Sequence, residues 1–164
     1  MRRRTQEIEH KKVEPIEKIY KEKIAIVGAG PSGLSSAWWL AKKGYKVTVY
    51  EMKEKAGGLL QYAIPDYRLP KAVLDHEIQR ILDLGVELKT GFTVGQDSSD
   101  LTFNDLKKRG LLRRKGYDAV IVSTGAVGSN KLYIEGEDLE GVLPGLEFLK
   151  AVCDKKITSY STSR

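Results

Sequence analysis

The stretch Ile24-Ala25-Ile26-Val27-Gly28-Ala29-Gly30-Pro31-Ser32-Gly33 constrains this chain more than any other feature. Its four leading apolar residues, mostly β-branched, read as a strand buried on both faces, as in a parallel sheet. The next six residues place glycine first, third and sixth, and residues 34–43 continue as an apolar helix that stops at Gly44. A second strand, Val47-Thr48-Val49-Tyr50-Glu51, completes a strand–turn–helix–strand unit of roughly the 30 residues that a βαβ motif occupies. The pattern predicts an α/β fold on a parallel sheet.

Each part of this unit has a physical task. Gly28 permits a tight turn off the strand, Gly30 lets the backbone approach a diphosphate, and Gly33 lets the helix pack closely on the strand. The helix N-terminus directs N–H groups and the positive end of its dipole at the phosphates. Glu51, 18 residues after Gly33, stands where an acid accepts hydrogen bonds from an adenosine ribose. A carboxylate there repels a 2′-phosphate, so FAD or NAD is expected at this site and NADP is not. The fingerprint alone leaves FAD and NAD both open. Gly57-Gly58 follows six and seven residues after Glu51, where the chain can return over the diphosphate without side chains in the way.

Composition excludes several other chemistries. One cysteine, Cys153, rules out an internal disulfide framework, an all-cysteine zinc site and a self-contained iron–sulfur cluster. The two histidines, His10 and His76, make a metal centre an unexpected feature. No apolar run approaches the ~18 residues of a membrane helix. Met1-Arg2-Arg3-Arg4 leads into polar residues with no apolar core of a secretory leader, so a reducing, cytoplasmic setting is expected. The net charge of +6 is concentrated in residues 1–23 and 107–115, and the remainder is mildly acidic. That distribution reads as solvated peripheral segments, and nucleic-acid binding is not expected.

The rest of the chain reads as alternating helices and strands. Residues 5–22 form a polar lead-in in which Ile8, Val13, Ile16 and Ile19 or Tyr20 recur at near-helical spacing with Pro15 interrupting, read as a short helix laid against the domain or against a neighbour. Pro70 opens a helix whose apolar stripe is Val73, Leu74, Ile78, Ile81 and Leu82, with Gly85 as its stop. Residues 86–88 and 92–94 read as strands, 101–109 as a helix, 119–122 as an apolar strand running into Ser123-Thr124-Gly125, and 146–152 as a last helix. In a parallel sheet the carboxyl end of a strand faces the ligand crevice, which sets Thr124 and Gly125 near the cofactor. Of the adjacent Trp38 and Trp39, one is expected to pack on the sheet and the other against a neighbouring element. His76 and Glu77 fall on a polar helical face and are read as solvated.

Several longer matches point to one family. They are Val27-Gly28-Ala29-Gly30-Pro31-Ser32-Gly33-Leu34, Gly57-Gly58-Leu59-Leu60, Ile64-Pro65-Asp66-Tyr67-Arg68-Leu69-Pro70-Lys71 and Leu84-Gly85-Val86-Glu87. Gly116-Tyr117-Asp118-Ala119-Val120 with Thr124-Gly125-Ala126, and Ile134-Glu135-Gly136-Glu137-Asp138-Leu139-Glu140-Gly141-Val142, complete them. Through these, residues 23–152 resemble the FAD-binding half of flavoproteins of the glutamate synthase small-subunit type. That group includes the FAD domain of dihydropyrimidine dehydrogenase and related NAD(P)H:ferredoxin oxidoreductases.

The resemblance implies a Rossmann-like, glutathione-reductase-type FAD-binding fold, three layers around a central parallel sheet. The implied strand order is that of the strands near 86–89, 46–51, 23–28 and 118–122, with the last at an open edge. It implies that Gly28, Gly30 and Gly33, with Pro31 and Ser32 between them, meet the FAD pyrophosphate. Glu51, with Met52 beside it, would hold the adenosine ribose. Gly58 and Leu59 would line the ribityl and flavin side, Arg68 would reach the cofactor, and Val94 would present its backbone to the adenine. Thr124 and Gly125 would close over the pyrophosphate.

The family pattern also has parts that this sequence does not match. Family members carry a cysteine-rich, iron–sulfur-binding N-terminal domain, and a second dinucleotide fingerprint for NAD(P)H beyond the position of Val152. The expected organisation is therefore a lead-in (1–22), the first half of a split FAD domain (23–152) with a basic insertion at 107–115, and a polar tail (153–164). The implied function is the FAD-binding module of an NAD(P)H-dependent oxidoreductase, passing electrons to iron–sulfur clusters or a ferredoxin. Its nicotinamide site and its partners, the other half of the FAD unit and an iron–sulfur protein or ferredoxin, would lie outside these residues, and the isolated chain is expected to be inactive. No residue stands out as a general acid or base. A non-catalytic nucleotide-binding subunit and a simple NAD-dependent dehydrogenase are the two other readings.

Overall fold

The fold is described by a computed structural model over residues 13–95, 100–107, 116–126 and 128–154. The elements in chain order are β1 (Lys23–Val27), α1 (Pro31–Lys42), β2 (Lys46–Glu51), α2 (Leu59–Tyr62), α3 (Lys71–Asp83) and β3 (Glu87–Thr90). They continue as β4 (Val94–Gly95), β5 (Leu101–Thr102), α4 (Phe103–Lys107), β6 (Ala119–Val122) and α5 (Gly145–Cys153). The main sheet runs β3-β2-β1-β6 with every pairing parallel, the order expected from the sequence.

Strand alternation explains the layers. Ile24 and Ile26 of β1, with Val47 and Val49 of β2, enter one core cluster with Leu34, Ala37 and Ala41 of α1 and Leu74 and Ile78 of α3. Ala25, Val27 and Tyr50 point the other way, into a second cluster with Leu106, Val94, Phe103 and Val120. A parallel strand covered on both faces needs apolar residues at every position, and that is why β1 carries no polar alternation. Ala25 and Ile26, adjacent in sequence, are both fully buried. The α1–α3 layer, the sheet, and the small β4–β5–α4 layer make three tiers, as the resemblance implied.

Residues 13–22 contain no helix, against expectation, and the 5–12 part of the anticipated helix lies outside the described residues. Pro15 removes a backbone donor from residues 13–22, which lie instead as a strap without regular secondary structure. Val13 and Ile16 pack against the first core cluster, Tyr20 stacks on Tyr45 with ring centroids 4.3 Å apart, and Tyr20 N–H donates to Gly44 O (3.2 Å). Lys18 Nζ donates to Leu84 O (2.8 Å), capping the carbonyl end of α3. Burial lowers the Lys18 pKa below the ordinary lysine value.

Other expectations shift in detail. The strand anticipated at 92–94 is Val94–Gly95, and the helix anticipated from 101 starts at Phe103 because Leu101–Thr102 pairs with β4. A reciprocal cap fixes that start: Asp105 N–H donates to Thr102 Oγ1 (3.1 Å), and Thr102 N–H donates to Asp105 Oδ2 (3.0 Å). The anticipated helix end at 108–109, most of the basic run at 107–115 and most of the polar tail lie outside the described residues. Trp38 packs on the core near Arg80 as expected, whereas Trp39, expected against a neighbouring element, is largely exposed beneath Lys42 of its own helix. Glu77 pairs with Arg80 on the surface of α3, and no helix among the described residues is long and apolar enough to cross a membrane.

Candidate functional site

Three chain segments leave the sheet side by side at its carboxyl end. Val27 is in register with Tyr50 on one side and Val122 on the other, so Gly28, Glu51 and Ser123 emerge together. Gly28 N–H donates to Tyr50 O (2.7 Å) and Ser123 N–H to Val27 O (2.8 Å), which carries both ladders one residue past the strands. Gly28 adopts φ +101°, and a Cβ on it would fall 2.4 Å from Ser123 O. Only glycine meets both requirements. The approach of Ser123-Thr124 is a reason for this glycine that the turn alone does not supply.

At Gly33 the limit is space. A Cβ there would lie 1.9 Å from Gly28 O and 3.3 Å from Ile26 Cγ2, so the first turn of α1 rests directly on the end of β1. Leu34 N–H donates to Gly30 O (2.9 Å), the first bond of the helix. Gly30 caps α1 without a side chain, Pro31 fills a position whose N–H would have no helical partner, and no acid lies in the first turn. The first turn therefore sets no acid of its own against the positive end of the helix dipole. Pro31 and Ser32 are exposed there.

Glu51 is buried, and its carboxylate is held by backbone. Oε2 accepts from Ala29 N–H (2.8 Å), inside the glycine loop, and Oε1 accepts from Lys53 N–H (3.0 Å). Each oxygen keeps a second lone pair for another donor. The sequence placed Glu51 near the loop, and the bond to Ala29 joins the two.

A second glycine pair lies over the first. Gly57 N–H donates to Ala29 O (2.7 Å), and Gly58, at φ +54°, is so close to the first loop that a Cβ on it would sit 2.8 Å from Gly30 Cα. The two loops face each other through bare backbone. The single helical turn α2 follows, too short to announce itself by apolar periodicity, with Leu59 exposed at its start. Gln61 Oε1 is buried without a donor among the described residues, and a buried acceptor of this kind costs about 1–3 kcal/mol until a donor reaches it.

Two residues that sequence reasoning gave no role hold this turn. Tyr62 Oη accepts from Lys55 N–H (3.0 Å) and donates to Lys55 O (3.2 Å), and burial raises its pKa. Lys71 Nζ donates to Leu60 O (2.9 Å) and Ile64 O (2.6 Å). Lys71 is the last residue of the matched stretch Ile64–Lys71, and that was the available signal.

The remaining predicted positions are arranged around this centre. Met52 is exposed beside Glu51. Gly91 N–H donates to Lys53 O (3.2 Å) and Phe92 N–H to Glu51 O (3.0 Å), which brings Val94 past the end of β2. The Val94 side chain packs into the second core cluster. Thr124 and Gly125 are exposed at the end of β6. Arg68 is exposed on the turn after α2, its N–H donating to Pro65 O (2.9 Å), with no side-chain hydrogen bond to the described residues tying it to the glycine loops.

Comparison with known proteins gives this arrangement relatives. Residues 26–88 match the NAD(P)-binding Rossmann-like domain family. The chain is 43% identical over 131 residues to the NADP(+)-dependent formate dehydrogenase subunit beta of Moorella thermoacetica, covering 79% of this chain and 17% of that protein. It is 36% identical over 135 residues to the glutamate synthase [NADPH] small chain of Mycobacterium tuberculosis, covering 82% and 26%. Among solved structures, FprA, an oxidoreductase of Mycobacterium tuberculosis, superposes with a TM-score of 0.65 at 26% identity, covering 79% of this chain and 28% of that one. The chain thus spans about a quarter or less of the length of these curated relatives. It is a homologue of one segment of glutamate synthase small chains and of the formate dehydrogenase beta subunit, built on an NAD(P)-binding Rossmann-like fold.

Proposed function

We propose that this chain is the FAD-binding module of an NAD(P)H-dependent oxidoreductase that delivers electrons to iron–sulfur clusters or a ferredoxin. The observation that carries the proposal is the convergence of two bare glycine loops over the N-terminus of α1, with the Glu51 carboxylate bonded to the first loop. A diphosphate is the group such a cradle fits, because backbone N–H groups and the helix dipole favour anions and no Cβ blocks their approach.

On this reading Gly28, Gly30, Pro31, Ser32 and Gly33 receive the pyrophosphate from below, and Thr124 and Gly125 approach it from the β6 side. Glu51 uses its remaining lone pairs on the ribose hydroxyls, beside Met52, and its charge discriminates against a 2′-phosphate. Gly58 and Leu59 face the ribityl side, Arg68 reaches the cofactor from the following turn, and Val94 offers its backbone to the adenine. When bound, FAD would supply the step from two-electron hydride acceptance to one-electron release, and the protein would supply binding, orientation and electrostatics.

The nicotinamide site, the rest of the FAD unit and the iron–sulfur partner belong, on this proposal, to polypeptide beyond residues 23–152, in the cytoplasm. The names of the relatives support an oxidoreductase: a formate dehydrogenase subunit, a glutamate synthase small chain, and the NADPH-Fe(3+) oxidoreductase subunit beta of Geobacter sulfurreducens. The test is a visible absorption spectrum after incubation with FAD and desalting. A retained flavin band is expected. A colourless protein overturns the proposal, and NAD-linked turnover without flavin would assign a dehydrogenase instead.

A further inference from the structure

We propose that Lys71 is a positioning residue for the cofactor cradle, acting through α2; the inference rests on the FAD reading above. The Lys71 side chain is 21% exposed and lies against the turn of α2. Its ammonium donates to Leu60 O at 2.9 Å and Ile64 O at 2.6 Å, on either side of Tyr62 and Ala63. The Asp66 carboxylate is farther away, at 3.9 Å, and is 73% exposed, so the carbonyls are the partners that matter.

These bonds continue without a gap into the cradle. Leu60 N–H donates to Gly57 O (3.1 Å), Gly57 N–H donates to Ala29 O (2.7 Å), and Ala29 N–H donates to Glu51 Oε2 (2.8 Å). One lysine on α3 is thereby connected to both glycine loops and to the ribose-side carboxylate. Because α2 has only four residues, its own hydrogen bonds are too few to hold its shape. An ammonium is suited to the task, since it carries three donors and can serve two carbonyls at once. Without it, α2 would keep its covalent place while Gly57 and Gly58 lost their fixed distance from Ala29 and Gly30.

The experiment compares FAD affinity with local backbone protection in the full chain carrying Lys71→Met, Lys71→Arg or Asp66→Asn. The measurement is made at a temperature where circular dichroism shows each apo protein folded. Lys71→Met is expected to raise the FAD dissociation constant by about tenfold or more, the range for a charge-assisted hydrogen bond. Amide exchange at Gly57, Leu60, Gln61 and Tyr62 should accelerate in the same variant. Lys71→Arg, which keeps two donors, should recover most of both losses, and Asp66→Asn should match the wild type.

If Lys71→Met does not fold, Lys71→Gln takes its place, with an intermediate loss expected. A wild-type dissociation constant and wild-type exchange in whichever of the two folds overturn the inference and leave the FAD reading intact. A wild-type chain that binds no FAD overturns the functional reading, and unchanged exchange in the variants then overturns the positioning role on its own.

Discussion

At the residue scale, the glycines of the first loop look interchangeable in the sequence and are not. A Cβ at Gly33 would collide with Gly28 O at 1.9 Å, so this glycine serves the fold. Gly33→Ala is expected to destabilise the apo protein by about 1–3 kcal/mol, as overpacking does, and a thermal melt will show it. At Gly30 the nearest atom to a Cβ is Gly58 Cα at 4.0 Å, and φ −78° suits any residue, so an alanine meets no steric obstacle and the folding duty of this glycine is confined to the N-cap of α1. Spacing alone could not separate the two roles, because the difference lies in which backbone oxygen comes close. Tyr117 adds a pH signature. Its hydroxyl lies 2.9 Å from that of Tyr50, and burial pushes its pKa from 10.0 up to about 12. A phenol with a raised folded pKa gives stability that is complete below pH 10 and is lost as pH climbs towards 12. Unfolding measured across that window should show the loss, and Tyr117→Phe should flatten it.

At the element scale, the strands and long helices were legible because they are apolar on a clear period: β1, β2, α1 and α3 lie where their side chains require. What was not legible is local hydrogen bonding. The four residues of α2 are too few to show a period, and Thr102 and Asp105 end a strand and start a helix within three positions through side-chain caps. The lead-in misled because Val13 and Ile16 sit three apart, yet Pro15 interrupts the pattern and Lys18 docks onto Leu84, and no helix forms over residues 13–22. The strap joins the α1–β2 turn to the end of α3, so it is part of the domain's packing. Ile16→Ala is expected to cost about 1–2 kcal/mol in urea unfolding, since it opens the edge of the first core cluster. A loss near zero would make the strap an ornament.

At the scale of the whole molecule, the two halves of the described chain are finished differently. The first half is packed on both faces of the sheet, whereas most of the exposed large apolar side chains among the described residues lie at or beyond Val122. Leu132, Tyr133, Ile134, Leu139, Val142 and Leu143 are all at least half exposed, α5 buries no residue, and β6 is an edge strand. Open apolar edges tend to pair with other chains. Light scattering after gel filtration is therefore expected to show the chain alone self-associating, and a well-behaved monomer would count against further polypeptide completing the unit. The sequence suggested this open side only through the resemblance, because exposure depends on what is packed where. The most direct measurement of the cofactor claim is a calorimetric titration of FAD into the wild-type chain and into Gly30→Ala. Saturable binding at one site is predicted for the wild type, weakened by about tenfold (~1.4 kcal/mol) in the variant, whose melting temperature falls far less than that of Gly33→Ala. Equal affinity in the two proteins, or no binding to the wild type, would contradict it.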